Sequence, residues 1–283
     1  MQATFEDLRR WIGKTAVVED QVTATPARAL AATLDRDATF DTGDSLPPPW
    51  HWLYFLSMEP LADAGPDGHP KRGGFLPPVP LPRRMWAGSR MAFFRPLRVG
   101  AAIRRESRIA DVKVKEGRSG TLVFVTVRHE ISCGKESLLI DEHDIVYRDL
   151  QKADVNAPAA RSAPNDHTWI REIDPTPVLL FRYSALTFNS HRIHYDFPYV
   201  TGVEGYPGLV VHGPLLATLL LDLLLRQRPD ARVTRFEFRA VGPLFDNAPF
   251  SVCGRPDGAG GNIALWAKGS DGRLAMDATA TVA

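Results

Sequence analysis

Apolar positions along this chain follow two patterns. Over residues 89–147 they fall in alternating or β-branched runs: RMAFFRPL, AIRRESRIADVKVK, TLVFVTVRHEIS and SLLIDEHDIVYRD, broken by VG, EGRSG and CGKE. The same habit returns near the C-terminus in VTRFEFRAVGPLF, APFSVCGRP, NIALWAKGS and RLAMDATATVA, broken by DN, DGAGG and DG. Such runs between Gly-rich breaks predict antiparallel meanders. A helix-forming stretch precedes each set. ARALAATLDRD follows Pro26, a residue suited to a first helical turn, and PLLATLLLDLLLR is apolar all round. MAFFRPLRVG in the first half matches RFEFRAVGPL in the second, which makes a weak internal repeat of about 140 residues. The pattern therefore predicts an α+β protein of two units, each a twisted antiparallel sheet wrapped round one helix. The first unit is expected over residues 1–150 and the second over 166–283, with QKADVNAPAARSAPN (151–165) as linker.

Residues 4–13 read as a short helix with acidic residues in its first turn and Gly13 as its stop. Residues 40–88 are dense in Pro and Gly yet carry Trp50, Trp52, Phe75 and Trp86. Pro continues neither helix nor ladder, and the aromatics argue for an extended segment packed down on something.

Composition narrows the function. With 283 residues, 44% of them hydrophobic, and a formal net charge of +1, the chain is globular with no global pull on nucleic acid or acidic membranes. The apolar run at residues 214–225 contains Asp222 and is shorter than the roughly 20 residues of a bilayer span, so it reads as a buried helix. The N-terminus lacks the apolar core of a secretory signal, and two cysteines (Cys133, Cys253) suit a reducing cytoplasm. The chain shows no phosphate loop, zinc-spaced Cys/His cluster or nucleophile elbow, so neither metal nor cofactor is expected.

Proton-transfer groups concentrate in FRYSALTFNSHRIHYDFPYVTGVEGYPGLVVHGPLLATLLLDLLLR, residues 181–226. His194 titrates near neutrality and is the natural base for activating water, or acid for releasing it. Gly213, with Pro214 opening the buried helix, lets backbone N–H groups approach a developing oxyanion, and His212 precedes it. Asn189 can orient water but cannot be a base. Asp196 is either a missing catalytic carboxylate or a helix cap, and His191 either a site residue or a loop tie. Arg192 suits a substrate carboxylate or a CoA phosphate, or is simply ion-paired. Thr218, one turn inside the helix, is placed to reach towards Asn189 or the water.

Tyr183, Leu186, Thr187, Ile193 and His194 match the hydratase 2 signature of the MaoC-like double hotdog family, and Asp196 and VVHGPLLATL resemble that family's residues downstream of the signature. FNSHRIHYD and YPGLVVHGPL resemble still more closely the hydroxyacyl-thioester dehydratase type 2 group with its mesaconyl-C4-CoA and itaconyl-CoA hydratases. Where the wider signature has Asp, Gly and Asn-Pro, this chain has Asn189, Phe188 and His191-Arg192. The resemblance implies a double hotdog whose first unit is degenerate. It implies a cofactor-free hydro-lyase acting on an acyl-CoA, foremost a C5 dicarboxylyl-CoA giving citramalyl-CoA, with a longer 3-hydroxyacyl thioester as the runner-up. A hotdog thioesterase and a non-catalytic acyl-CoA-binding module remain alternatives. Exposed sheet edges favour a homodimer.

Overall fold

The computed structural model describes residues 6–71, 73–117, 120–149, 161–258 and 260–283. Ten strands form one continuous antiparallel sheet: β1 (Thr15–Gln21), β2 (Arg83–Phe93), β3 (Ala102–Gly117), β4 (Gly120–Cys133), β5 (Glu136–Arg148), β6 (Trp169–Ile173), β7 (Val233–Ala240), β8 (Phe250–Pro256), β9 (Asn262–Gly269) and β10 (Leu274–Val282). Their order is β1-β3-β4-β5-β2-β7-β10-β9-β8-β6. Each half repeats one plan, in which its second strand turns back to pair with its last. The halves join where β2 pairs β7, with Ser89 opposite Phe238 and Met91 opposite Phe236. This is the repeat that MAFFRPLRVG and RFEFRAVGPL display in the sequence.

Among the described residues four helices accompany the sheet: α1 (Ala24–Thr33), α2 (Pro177–Leu186), α3 (Phe197–Gly202) and α4 (Gly213–Gln227). α4 lies against β6, β8, β9 and β10. All its residues from Leu215 to Leu224 are buried, which explains why it is apolar on every side. Its one carboxylate, Asp222, is tied to Arg36, to Arg171 (2.7 Å) and to Arg226 (2.7 Å). Arg36 belongs to the first half, so this buried charge is neutralised across the two halves.

The first half departs from expectation. ARALAATLDRD does form most of α1, but α1 packs against α2 and is no central helix. It follows β1 as α2 follows β6. Between α1 and β2, where the second half has α4 ahead of β7, the described residues of the first half hold no α-helix but two 3-10 turns, Trp50–Leu53 and Leu61–Asp63. The segment expected to be extended over 40–88 ends sooner, because β2 already begins at Arg83 and takes in Trp86. Residues 7–11 make a 3-10 turn ahead of Gly13 (φ +88°). Strands β1 and β6, at the two sheet edges, have no counterpart in the predicted pattern. Of the expected linker, residues 151–160 lie outside the described residues, while Ala163 is buried and Ser162 bridges Arg273. No helix among the described residues is long and apolar enough to cross a bilayer. Both cysteines are free.

Candidate active site

The missing helix leaves a cavity of 1640 Å³ between the first half's concave face and the mouth of α4. Six of the chain's eight histidines line it (His51, His69, His129, His143, His191 and His194), so the groups able to move protons face one space.

Helix α2 sets up the site loop. Thr176 caps its N-terminus by accepting the Leu179 N–H (3.2 Å), with Pro177 behind. At its other end Phe188 takes the left-handed backbone (φ +50°), and Asn189 N–H reaches back to the Ser184 carbonyl (2.8 Å). This is a helix stop of the kind usually built with glycine. Phe188 stands where the family signature has its Gly, so the residue differs while the backbone still makes the turn. Asn189 lines the cavity, and its Oδ1 accepts the His191 N–H (3.0 Å), so its amide NH2 is the end available to water or substrate.

His194 ends a 3-10 turn, Arg192–His194, and is buried. Its Nδ1 lies 2.7 Å from the Val210 carbonyl. A carbonyl can only accept, so Nδ1 carries the proton and Nε2 keeps a lone pair. Burial pushes its pKa down to about 4, against the Val210 hydrogen bond, with nearby His69 adding to the fall. At neutral pH the ring is therefore an unprotonated base. It stacks on His212 (centroids 3.6 Å, 18°) and meets His191 edge to face (5.5 Å, 88°). His212 is fully buried beneath it, bonded through Nε2 to Ser184 Oγ (2.7 Å), and does not line the cavity. It acts as a floor for His194 and does not face substrate.

Gly213 lines the cavity as the first residue of α4, and a Cβ there would meet no atom within 4 Å. No side chain caps this helix, and Pro214 has no N–H, so the Gly213 N–H has no acceptor among the described residues. An uncapped helix N-terminus facing a cavity is suited to negative charge.

Besides His212, three expected residues point elsewhere. Asp196 caps α3 through the Tyr199 N–H (3.0 Å), and its other oxygen takes Arg192 (2.8 Å). Both oxygens are thus engaged, and Asp196 does not line the cavity. Arg192 is committed as well, to Asp196, to the Pro66 carbonyl (2.9 Å) and to the face of Tyr199 (4.1 Å). Thr218 is buried and donates to the Pro214 carbonyl (2.8 Å), as a hydroxyl inside a helix does, with Tyr183 as its other neighbour. It does not reach towards Asn189.

Two groups were not foreseen. The first is the turn at residues 65–69. It clamps the site loop through Arg192 N–H to the Asp67 carbonyl (2.9 Å) and Ser190 Oγ to the Gly68 carbonyl (2.5 Å). Gly68 has φ +87°, and a Cβ there would stand 1.9 Å from the Ser190 carbonyl oxygen, so only glycine fits. The clamp brings His69 to 4.0 Å from His191, with Asp67 bonded to His69 Nδ1 (3.2 Å). Burial alone would raise the Asp67 carboxyl, but the bond from His69 outweighs it and holds it well below the usual range. Asp67, His69 and His191 offer ligand atoms within 4.8 Å of one another and could hold a cation. The second group is Asp141, buried on the first half's inner face. It accepts from His51 (3.0 Å), His143 (2.7 Å), Trp52 (2.9 Å) and Ser89. The DGH turn and the alternation in IDEHD were legible in the sequence, but nothing there said that they face the same space.

A wide antiparallel sheet with one wrapped helix, one vacated slot and a histidine-lined cavity defines a double hotdog acyl-thioester enzyme. The profile of hydroxyacyl-thioester dehydratase type 2 matches residues 49–246, and the chain belongs to that family. It is 50% identical over 275 residues to the mesaconyl-C(4)-CoA hydratase of Chloroflexus aurantiacus, covering 96% of this chain and 97% of that protein. It is 30% identical to the mitochondrial hydroxyacyl-thioester dehydratase type 2 of Schizosaccharomyces pombe, covering 84% and 89%. Among solved structures, a MaoC-like dehydratase from Phytophthora capsici superposes with a TM-score of 0.72 at 15% identity, covering 99% of each chain. A Mycobacterium tuberculosis protein described as a double hotdog does so at 0.60 and 15%, covering 98% and 97%. At these identities the structural matches speak for the fold alone, and the family places the chain among hydro-lyases.

Proposed function

We propose that the chain hydrates a C5 dicarboxylyl-CoA, foremost mesaconyl-C4-CoA, giving citramalyl-CoA. The observation that carries this is His194 itself: a buried, neutral imidazole whose proton is pinned on Nδ1, facing a cavity beside an uncapped helix N-terminus. His194 Nε2 takes a proton from water oriented by the Asn189 amide, and the hydroxide adds to the β-carbon. Charge moves to the thioester oxygen, where the Gly213 N–H receives it. The imidazolium returns its proton to the α-carbon, so one water is consumed and no cofactor is needed. Dehydration of a 3-hydroxyacyl thioester is the same path in reverse, and the Schizosaccharomyces pombe relative favours it as the second reading.

In this reading residues 166–283 form the unit that carries the chemistry. Residues 1–150 form the degenerate unit that completes the acyl tunnel. The chain works in the cytoplasm as a homodimer, and itaconyl-CoA, on a route of itaconate breakdown, is a related substrate. The test is loss of the enoyl-thioester absorbance with mesaconyl-C4-CoA and crotonyl-CoA offered in parallel, and formation of citramalyl-CoA, read by mass, with itaconyl-CoA, whose double bond is not conjugated with the thioester. Either result with a dicarboxylyl substrate supports the proposal. Loss with crotonyl-CoA alone moves it to the dehydratase reading, and thiol release without hydration makes the protein a thioesterase.

A further inference from the structure

A dicarboxylyl substrate brings a second anion into the site, and its position is fixed by covalent chemistry. In mesaconyl-C4-CoA the free carboxylate sits on the β-carbon, the carbon that receives hydroxide. Its partner must therefore stand on the side of the cavity that holds His194. Arg192, the cation nearest in sequence, is spent on Asp196, Pro66 and Tyr199. Among other cations lining the cavity, Arg83 is held by Glu204 (3.2 Å) and Lys71 by the Ala62 carbonyl (2.8 Å). Arg105 lies over Phe55 (5.1 Å) on β3, separated from β7 by β4, β5 and β2.

Arg84 differs from Arg192, Arg83 and Lys71. It sits near the start of β2, opposite Tyr147, and lines both the main cavity and a smaller pocket of 590 Å³ beside it. Among the described residues its side chain has no hydrogen-bond or ion-pair partner. Glu204, a carboxylate lining the same smaller pocket, is taken by the neighbouring Arg83. His191 lines the same smaller pocket as Arg84. His191 in turn stands 5.5 Å from His194. An unpaired, half-buried guanidinium that shares a pocket with the imidazole bordering the base is placed to receive an anion.

We propose that Arg84 is the counter-ion for the β-carboxylate of the acyl group and the residue that selects dicarboxylyl over monocarboxylyl thioesters. The proposal rests on the C5 dicarboxylyl reading above and names where that substrate's second charge goes. A planar fork suits a carboxylate, and its presence makes the site less hospitable to a plain alkyl end.

The experiment compares succinyl-CoA with butyryl-CoA. These saturated thioesters share a four-carbon chain, differ by the carboxylate, and cannot be hydrated. Quenching of intrinsic tryptophan fluorescence reports binding, since Trp52 and Trp86 line the cavity. Wild-type protein is expected to bind succinyl-CoA the more tightly. Arg84→Gln should weaken succinyl-CoA by about 30-fold and butyryl-CoA far less, as loss of a charged hydrogen-bonded pair does. Arg84→Lys keeps the charge without the fork and should recover part of the preference. Three results would overturn the proposal. They are no preference in the wild type, a preference that survives Arg84→Gln, or equal weakening of both ligands, which would place Arg84 on the CoA phosphates. Failure of the wild type to hydrate mesaconyl-C4-CoA would sink the functional reading by itself, because the binding comparison needs no turnover.

Discussion

The two halves of the sheet share one strand order and present opposite inner faces. In the second half Val252, Leu265, Met276 and Ala278, on strands that pack against α4, are all buried, as are Phe236 and Phe238 on β7. In the first half the corresponding strands carry Ser107, His129, Asp141, His143 and Ser89, bonded to one another or to His51 and Trp52. The occupant of the slot decides the difference. A fifteen-residue helix demands an apolar wall, whereas short 3-10 turns leave a cavity whose wall is free to be polar. One half is therefore built for packing and the other for holding something that comes and goes.

Four predictions test that division. Replacing the base should have the largest effect: His194→Gln is expected to lower kcat for hydration by about a thousandfold, the range of a lost acid–base group. His143→Gln, the same change on the opposite wall, should cost at least an order of magnitude less. If both lose activity equally in the absorbance assay, the chemistry is not confined to the second half. Next, Asp222→Ala should destabilise the fold by about 3–5 kcal/mol in urea unfolding, because it strands Arg36, Arg171 and Arg226 around a dry helix.

The third prediction concerns pH. The folded pKa of His194 is about 4, below its ordinary 6.5. The base is thus neutral through the physiological range, and kcat/KM should stay flat from pH 8 towards pH 5. It should then fall about tenfold for each unit below pH 4. Stability follows the same sign. The unfolded chain takes up this proton first, so the stability tied to a neutral His194 is intact above pH 6.5 and is lost as pH falls from 6.5 towards 4. A pH–rate profile that breaks near 6.5 would show a ring exposed to water. The smallest effect is expected for Gly68→Ala. A Cβ at φ +87° against Ser190 strains the clamp by about 1–3 kcal/mol, so kcat/KM should drop several-fold and Tm by a few degrees.

The strands of both sets were legible because their alternation and Gly-rich breaks are local signals, and so was α4, whose uniform apolarity announces burial on every side. β1 escaped notice because it is an edge strand with mostly exposed residues, so its pattern never alternates cleanly. The first half's vacated slot was illegible for a subtler reason. ARALAATLDRD is a sound helix, but propensity does not say what a helix packs against, and α1 lies on α2. In the site, His194, Asn189 and Gly213 could be read from their neighbours in the chain. The roles of Arg192 and Asp196 could not, since their pairing at spacing i,i+4 satisfies both and withdraws them from the cavity. His69 meets the site through His191, and Arg84 through a pocket it shares with His191, each more than a hundred residues distant in sequence.

The ladder between β2 and β7 has a mechanical consequence. It runs without interruption from Gly88 to Ala92, and the ionic knot at Asp222 fastens Arg36 of the first half into the second. Neither half can open as a hinged jaw without tearing backbone hydrogen bonds and stranding a buried charge. The turn at 65–69 and the site loop it clamps are therefore held before a sheet that serves as a fixed anvil.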